Sequence, residues 1–275
     1  MNRSLKIRVL GGGSSGNSII ISTGCGTIAV DAGFSGKELR RRMGIVGFSP
    51  DELDAVLLTH EHTDHSLGCR ILCNSCHLPL YASTGTVQFL QKANKLPDKV
   101  VQFERDNTFE LPTGMMIHPF AIPHDAVDPV GFAIRTQDDF KIAIATDLGI
   151  LDNNVALSIA DSDVLVLECN YCPDKLRNCD RPERTKRRIA GRKGHLENSD
   201  AIAALEKLVT PRTKVVLFGH ISRECNDYDF VRQLGRSKLC EMQREDILFD
   251  VILQDRPLGT FDYSGGIFTF TGADA

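Results

Sequence analysis

Residues 56–65 place a run of metal-binding side chains directly after an apolar strand, and this segment constrains the fold most. It reads Val-Leu-Leu-Thr-His-Glu-His-Thr-Asp-His. Alternate side chains of an extended backbone point to the same side, so His60 and His62 project together. A tight turn after them can aim Asp64 and His65 at a neighbouring point. Two imidazoles for one ion, and a carboxylate with an imidazole for a second, suit Zn²⁺ or a similar divalent ion. The alternative, a histidine-rich surface loop, does not explain this spacing.

The pattern of apolar residues predicts a four-layer αββα sandwich, with one domain over residues 1–275. Short β-rich segments, separated by glycine, proline and aspartate, dominate the first half of the chain. We predict strands at 6–10, 18–22, 27–30, 55–58, 115–120, 130–136, 141–145, 164–167 and 214–218, and helices at 36–43, 67–76, 84–96, 199–208 and 227–234. Two β-rich halves that each carry helices on the outside indicate two sheets packed face to face.

The composition is that of an ordinary globular protein, since 42% of the 275 residues are hydrophobic and 25% are charged. No apolar run reaches the roughly 20 residues that a membrane-spanning helix needs. The first residues run into a strand and do not resemble a signal peptide. The nine cysteines, an odd number, indicate reduced thiols. These features predict a cytoplasmic protein that does not bind a membrane.

Two groups of cysteines could bind a metal. Cys69, Cys73 and Cys76 form a C-x₃-C-x₂-C run, and Cys169 and Cys172 form a second C-x₂-C pair. Thiolates at such spacings can converge on zinc or on an iron–sulfur cluster. However, the three thiols of the first run also fall on one face of a helix, which favours half-buried structural cysteines.

The segment 59–65, Thr-His-x-His-x-Asp-His after a strand, is similar to the signature of the metallo-β-lactamase superfamily. The resemblance implies the αββα fold of that superfamily and two divalent metal ions, zinc or manganese, with iron as a further alternative. It also implies that a histidine, a bridging aspartate and a last histidine complete the site. The implied ligands are His60, His62 and His124 for one metal and Asp64, His65 and His220 for the other, with Asp147 bridging the two.

Each of the later ligands follows a predicted strand. His124 lies just past a strand in Ile-Pro-His-Asp, whereas His118, the competing third ligand, lies within that strand. Asp147 follows an apolar strand, although a simple turn aspartate would also suit this position. His220 ends a buried strand, and Asp31 resembles the early superfamily aspartate that orients the ligand loops.

A closer resemblance covers most of the chain. Several segments occur in the order found in the YycJ/WalJ group, bacterial metallo-β-lactamase-fold proteins described as 5′-to-3′ DNA exonucleases. These segments are 13–18, 31–33, 60–65, 124–132, 146–149, 168–170, 194–198 and 220–222. The chain departs from the group at Tyr171 and Cys172, where a histidine and an acid are usual, and at Glu197, where serine is usual. The departures concern the choice of substrate rather than the metal chemistry.

The resemblance also implies which residue acts as the acid. His195 resembles the non-ligand histidine that acts as acid in tRNA-processing relatives of the superfamily. It precedes a predicted helix whose N-terminus favours phosphate, although a purely local capping role would suit it too. Glu168, at the end of a buried strand, is predicted to orient His195 or to touch the substrate. We predict His195, Glu168 and Asp64 as the catalytic residues.

Asn170, like Glu168, is predicted to orient His195 or to touch the substrate. Further candidates for contacts with phosphate or sugar are Asn198, Ser222 and Asn226, each of which also suits a cap or a turn. Residues 175–193 contain nine Lys or Arg residues and only two acidic ones. Such a segment is either a solvated face or a surface that binds anions, and its position before His195 favours the second. We therefore predict that Arg187 and Arg188 bind substrate.

These features predict a metal-dependent phosphodiester hydrolase, and the resemblance implies a 5′-to-3′ exonuclease with a DNA substrate. The alternative is a small-molecule hydrolase that cleaves a cyclic phosphodiester, a thioester or a lactone. Only the basic segment 175–193 distinguishes the nuclease hypothesis from this one. A metal-holding binding protein without turnover is disfavoured, because a purely structural site would leave no open position for water.

Overall fold

The computed structural model describes residues 3–273, whose strands form two sheets packed face to face. In chain order the strands are β1 (Leu5–Gly11), β2 (Ser18–Thr23), β3 (Gly26–Val30), β4 (Ala55–Leu57), β5 (Leu80–Ser83), β6 (Val100–Phe103), β7 (Phe109–Glu110), β8 (Met116–Ala121), β9 (Val130–Arg135), β10 (Lys141–Ala145), β11 (Val164–Glu168), β12 (Val215–Gly219), β13 (Leu248–Val251), β14 (Gly259–Ser264) and β15 (Ile267–Gly272). The first sheet has the order β15-β14-β1-β2-β3-β4-β5-β6, and the second has the order β13-β12-β11-β10-β9-β8-β7.

Helices cover the outer face of each sheet. They are α1 (Gly36–Ile45), α2 (Thr63–Ser66), α3 (Cys69–Cys76), α4 (Thr84–Lys92), α5 (Asn153–Ile159), α6 (Pro173–Asn178), α7 (Glu183–Ile189), α8 (Asn198–Leu208) and α9 (Tyr228–Glu241). Apolar residues of α1, α3 and α4 pack on the first sheet, and those of α5, α8 and α9 pack on the second. The αββα sandwich predicted from the sequence is therefore confirmed. Among residues 3–273, none of the helices has the length and apolarity to cross a membrane.

The helix expected at 67–76 begins at Cys69, because the Gly68 N–H donates to the Ala32 carbonyl at 2.7 Å. The single turn α2 precedes it and was not predicted, nor were α5, α6 and α7, and the helix expected at 227–234 extends to Glu241. The strands β5, β6, β7, β13, β14 and β15 were not predicted. Whether such a segment forms a strand depends largely on the strands it packs beside, which the local sequence does not show.

Alternating side chains build three apolar layers. In β4, Leu57 faces the opposite sheet and Val56 faces the helices. In β11, Val166 lies between the sheets and Leu167 lies under the helices. Because both faces of these central strands are buried, their residues are almost all apolar, as expected for parallel strands covered on both sides.

Parallel strands in the centre of each sheet end at one edge of the sandwich. β3 and β4 are parallel neighbours in the first sheet, as are β10, β11 and β12 in the second. Asp31, Asp147 and His220 lie just beyond these strands in the left-handed region, with φ of 60°, 60° and 53°. Each such residue costs about 1–3 kcal/mol and persists only where its surroundings hold it. These turns bring polar side chains from both sheets to one place.

Candidate metal centre

Three imidazoles meet beyond the ends of β4 and β8. His60 Nε2 lies 3.1 Å from His62 Nδ1, which lies 3.3 Å from His124 Nε2. One ligand atom from each of the three lies within 4.8 Å of the others. The structure thus brings together the residues predicted for the first metal. It places the competing candidate His118 elsewhere, half-buried in β8 with Nδ1 3.2 Å from the Thr108 hydroxyl.

A carboxylate and two imidazoles form a second group beside the first. Asp64 and His65 lie in the single turn of α2, directly after His62. Asp64 Oδ2 lies 3.5 Å from His65 Nε2 and 3.4 Å from His220 Nε2. These are the residues predicted for the second metal. The first sheet supplies Asp64 and His65, and the second supplies His220.

Asp147 lies between the two groups. Its Oδ2 is 3.0 Å from His65 Nε2, and its Oδ1 is 3.4 Å from His220 Nε2 and 3.8 Å from His124 Nε2. The residue is buried, and although His65 is close, Oδ2 makes no hydrogen bond. A buried carboxylate oxygen without a hydrogen bond is costly, so this atom calls for a cation. The position suits the bridging role predicted for Asp147.

The pKa shifts of the histidines in the two groups also indicate a site for a cation. Burial and the neighbouring His65 lower the pKa of His60 well below its ordinary value. Burial also opposes protonation of His65 and His220, but the carboxylate of Asp147 and its acidic neighbours outweigh it. The pKa of His65 is therefore well above its ordinary value, and that of His220 is raised to about 10. Without metal, protons on these two imidazoles balance the buried carboxylates.

The donor set fits divalent metal ions. Imidazole nitrogens and carboxylate oxygens are the usual ligands of zinc and also suit manganese and iron. Two of the three side chains in each group are buried, and Oδ2 of Asp147 between the groups lacks a hydrogen bond. A cation there would replace the protons on His65 and His220 as the balancing charge.

Asp31 orients one ligand from behind. Its Oδ2 lies 2.7 Å from His65 Nδ1, and its Oδ1 accepts hydrogen bonds from the Thr59 N–H at 2.9 Å and the Thr59 hydroxyl at 3.0 Å. The carboxylate fixes the proton of His65 on Nδ1, which leaves Nε2 facing the second group. Asp31 therefore contacts the ligand segment as expected from the sequence.

Glu168 joins two histidines that have different predicted roles. Its Oε1 lies 2.8 Å from His195 Nδ1 and 2.9 Å from His220 Nδ1. Its Oε2 accepts hydrogen bonds from the Leu148 N–H at 2.7 Å and the Leu196 N–H at 3.3 Å. The side chain is fully buried, so all four contacts form in a region without water. Glu168 thus sets the orientation of both imidazoles. These rings, and not Glu168 itself, face the open space over the two groups.

Asn17 is part of the site, although its role was not predicted. Its N–H and its Nδ2 donate to the Asp64 carbonyl at 2.8 and 3.1 Å, and Nδ2 lies 2.9 Å from His65 Nε2. Its Oδ1 accepts from the Gly13 N–H at 2.8 Å, which fixes the amide. The glycine-rich loop between β1 and β2 thus supports the Asp64–His65 turn. The one local signal was an asparagine at the end of Gly-Ser-Ser-Gly.

Gly33 lets Asn17 approach the Asp64–His65 turn, because Gly33 itself packs against that turn. Its N–H donates to the Asn17 carbonyl at 2.9 Å. A Cβ at Gly33 would overlap the carbonyl oxygen of Asp64. Only glycine therefore leaves room for the backbone of the ligand turn.

A cavity of about 190 Å³ opens over the two groups. It is lined by His62, Asp64, His124, Asp147, His195 and His220 of the site, and by Ser14, Asn170, Arg181, Arg188, Ile189 and Ser222. The arginine side chains, 33% and 51% exposed, lie at its outer part. Each arginine is paired with an acid. Arg181 Nε lies 2.7 Å from Glu224, and Arg188 contacts both carboxylate oxygens of Asp125, at 2.5 and 2.9 Å. Arg181 was not among the predicted substrate contacts.

Of the predicted substrate contacts, Asn170, Ser222 and Arg188 line the cavity. Asn170 Nδ2 also donates to the His220 carbonyl at 2.5 Å, which ties it to a ligand. Arg187 is exposed on α7 and is not among the residues that line the cavity.

Asn198 lies away from the cavity, because both ends of its buried amide are hydrogen bonded to Asn226, at 2.8 and 2.9 Å. It therefore joins α8 to the loop before α9, and no polar atom of its side chain is left for a substrate.

The cysteine runs show no metal-binding arrangement. Cys69 and Cys73 are buried on the face of α3 that packs against the first sheet, and Cys76 is half-buried. Within residues 3–273, no group of three metal-binding side chains includes a cysteine. The helix-face interpretation therefore agrees with the structure.

Comparisons with known proteins agree with this site. The model of the β-lactamase superfamily domain matches residues 27–221. The chain is 33% identical over 227 residues to the exodeoxyribonuclease WalJ of Streptococcus pneumoniae serotype 2, which covers 80% of this chain and 83% of that protein. It is 28% identical over 248 residues to the exodeoxyribonuclease YycJ of Bacillus anthracis, covering 88% and 90%.

A solved structure shows the same fold. The metallo-β-lactamase fold protein YhfI of Bacillus subtilis superposes with a TM-score of 0.70 at 17% identity, over 95% of this chain and 100% of that one. The fold, the cluster of ligands and these relatives identify a metal-dependent hydrolase. The chain belongs to the β-lactamase superfamily, in the group that includes the WalJ and YycJ proteins.

Proposed function

We propose that the chain is a phosphodiesterase with two divalent ions, which removes nucleotides from the 5′ end of DNA. The observation that carries the proposal is that two groups of ligands share Asp147 beneath a cavity that also contains His195. His60, His62 and His124 would hold one ion, and Asp64, His65 and His220 the other. Zinc and manganese suit these ligands, with iron as an alternative.

When bound, a pair of divalent ions lowers the pKa of a water molecule and polarises a phosphoryl oxygen. The residues of the chain supply the remaining requirements. Asp31 and Glu168 hold the protons of His65 and His220 on Nδ1, so that each Nε2 is free to act as a ligand. Asp147 contacts both groups, since its Oδ2 lies beside His65 of the second group and its Oδ1 lies between His220 of the second group and His124 of the first.

His195 is the proposed general acid. Its Nδ1 is engaged by Glu168, so Nε2 is the atom available to give a proton to the leaving oxygen. The buried carboxylate of Glu168 holds the imidazole in a fixed orientation. The side chain of His195 is 12% exposed, so it lies at the surface of the cavity and not beneath it. Asp64, with 22% of its side chain exposed, also reaches the cavity.

Two observations support a DNA substrate. The two curated relatives that match most of this chain are named exodeoxyribonucleases. In addition, Arg181 and Arg188 lie at the outer part of the cavity, on the basic segment 175–193. Guanidinium groups there can pair with successive phosphates. The 5′-to-3′ direction rests on the resemblance to the YycJ/WalJ group.

A second candidate is hydrolysis of a small phosphodiester. The cavity of about 190 Å³ is smaller than the usual 300–1,000 Å³ of a ligand site, so it accommodates one nucleotide or less. The arginines at its outer part are already paired with Glu224 and Asp125. A polymer must compete with these two acids for the arginines, whereas a small substrate need not contact the arginines at all.

The test uses protein loaded separately with zinc and with manganese, incubated with 5′- and 3′-end-labelled DNA and RNA and with a small phosphodiester reporter. His60→Ala and His195→Ala should abolish cleavage. His118→Ala is the matched control, because this half-buried histidine lies outside both groups. Progressive release of nucleotides from the 5′ end of DNA supports the proposal. Turnover of the reporter with every polymer intact would replace it by the small-molecule hydrolase.

A further inference from the structure

Two cysteines face each other behind the wall of the cavity. Cys179 follows α6, and Cys225 lies in the loop after His220. Their Sγ atoms are 3.5 Å apart, and both are free thiols. They belong to a small apolar cluster that also contains Ile189, a residue of the cavity wall. Within residues 3–273, no other pair of cysteine sulfurs is hydrogen bonded.

The two sulfurs differ in exposure. Cys225 is fully buried, and its S–H points at the sulfur of Cys179. Cys179 is half-buried, and its S–H donates to the Leu176 carbonyl at 3.2 Å. Burial and the contact with Cys179 raise the pKa of the Cys225 thiol. A dissolved oxidant therefore reaches Cys179 first, and Cys225 lies directly behind it.

We propose that Cys179 and Cys225 form a site of reversible oxidation by hydroperoxides. The Cys179 thiol gives up its proton, and the thiolate attacks a peroxide oxygen to become a sulfenic acid. The O–O bond breaks, and the leaving hydroxide takes up that proton as the first water. The Cys225 sulfur then attacks the Cys179 sulfur. The S–S bond forms, hydroxide leaves, and the Cys225 proton converts it to a second water. Two thiols and one hydrogen peroxide thus give one disulfide and two waters, and a dithiol reductant reverses the change.

Little backbone movement is needed for this bond. A disulfide brings its sulfurs to about 2.05 Å, so they must approach by roughly 1.5 Å. The two segments are already held together, because the Cys172 N–H donates to the Cys225 carbonyl at 2.9 Å and Arg181 pairs with Glu224 at 2.7 Å. The reduced structure therefore keeps both thiols close to bonding geometry.

The bond would join two parts of the cavity wall. Arg181 and Ile189 belong to the segment that contains Cys179, and His220 and Ser222 belong to the loop that contains Cys225. A covalent link between them would limit how far the outer wall can move from the histidine. The oxidised protein should therefore be more resistant to proteolysis between residues 180 and 188.

The experiment uses the full chain, loaded with zinc, in a Cys25→Ser/Cys240→Ser background that removes the two exposed thiols. One equivalent of hydrogen peroxide should lower the mass by about 2 Da, yield a Cys179–Cys225 linked peptide and raise Tm by several degrees. Dithiothreitol should reverse all three changes. Cys225→Ser should instead accumulate a sulfenic acid at Cys179, trapped by dimedone, whereas Cys179→Ser should give neither product.

Cys225→Ala serves as a second variant, since serine in a buried position could disturb folding. A linked peptide that contains Cys172 in place of Cys179 would overturn the proposal. So would the absence of any link in the parent while Cys179 proceeds to sulfinic acid. None of these measurements depends on nuclease activity, so the proposal stands or fails separately from the proposed function.

Discussion

Glu168 Oε1 lies 2.8 Å from Nδ1 of His195. The same oxygen contacts Nδ1 of His220 at 2.9 Å, so one buried carboxylate orients the proposed acid and a proposed metal ligand. Because the two roles depend on one atom, a change at Glu168 should affect proton transfer and metal binding together.

We expect Glu168→Gln to lower kcat and the affinity of the second ion, each by about 10- to 100-fold. An amide NH₂ facing His220 Nδ1 would move the imidazole proton to Nε2, the atom that faces Asp64. Metal content by mass spectrometry and single-turnover cleavage are the readouts. Glu197→Gln is the control, because Glu197 has no contact with these histidines. Normal metal content in the Glu168 variant would show that the carboxylate does not set the tautomer.

Asn17→Ala should lower the metal affinity of the Asp64–His65–His220 group by about tenfold and destabilise the protein by about 1–3 kcal/mol. The buried amide holds the Asp64 carbonyl and lies beside His65 Nε2. Titration calorimetry should therefore show one weakened site and one unchanged site. Ser15→Ala, in the same loop, removes only a contact with Gln254 and should leave both sites unchanged.

Gly33→Ala should prevent formation of the metal centre, because its Cβ would overlap the Asp64 carbonyl oxygen. The ligand turn must shift, and we expect loss of metal together with a fall in Tm of several degrees. Gly44→Ala is the matched control, since no atom lies within 4 Å of a Cβ there. It should be neutral or stabilise α1 by up to about 1 kcal/mol. Equal effects of the two substitutions would contradict this explanation.

Metal affinity should increase with pH up to about 10. The metal-free protein carries a proton on His220, whose pKa is raised to about 10, and this proton must leave when a metal binds. Calorimetry in buffers of different ionisation enthalpy should detect its release at pH 7. The same shift predicts that His220 stabilises the metal-free fold fully below its unfolded pKa of about 6.5, and that this contribution is lost as pH rises through about 10. Metal-free Tm that rises over this range would contradict the assignment.

Arg181→Ala should weaken binding of single-stranded DNA more than Arg187→Ala. Arg181 lines the cavity, whereas Arg187 is exposed on α7 away from it. We expect a loss of about tenfold for Arg181 and a reduction of the salt slope by about one. Fluorescence anisotropy at several salt concentrations measures both quantities. Equal losses would place the DNA along the outer surface of α7, as the basic segment predicts.

The sequence was most informative where the ligands are close in the chain. Four metal-binding side chains at 60–65 directly follow a buried strand, and this local spacing was enough to predict a metal centre at the end of that strand. The resemblance to the superfamily added Asp147 and His220, each of which also follows an apolar strand. Strand ends of parallel neighbours meet at one edge, so such residues converge.

The remaining parts of the site depend on contacts between distant segments. Asn17 and Asp64 are 47 residues apart, and Cys179 and Cys225 are 46 apart. No periodicity or spacing rule describes which loops meet across a sandwich. Asn198 shows the opposite case, since it was predicted to contact phosphate or sugar, whereas its amide is bound to Asn226.

Each group of ligands draws on both sheets. His60 and His62 come from the first sheet and His124 from the second, and Asp64 and His65 are completed by His220. Neither sheet alone presents a full set of donors, and the group that contains His220 is incomplete in a nascent chain until β12 has joined its sheet. We therefore expect metal binding at that group to be a late event in folding, and an ion held there to mark a molecule in which both sheets have docked correctly.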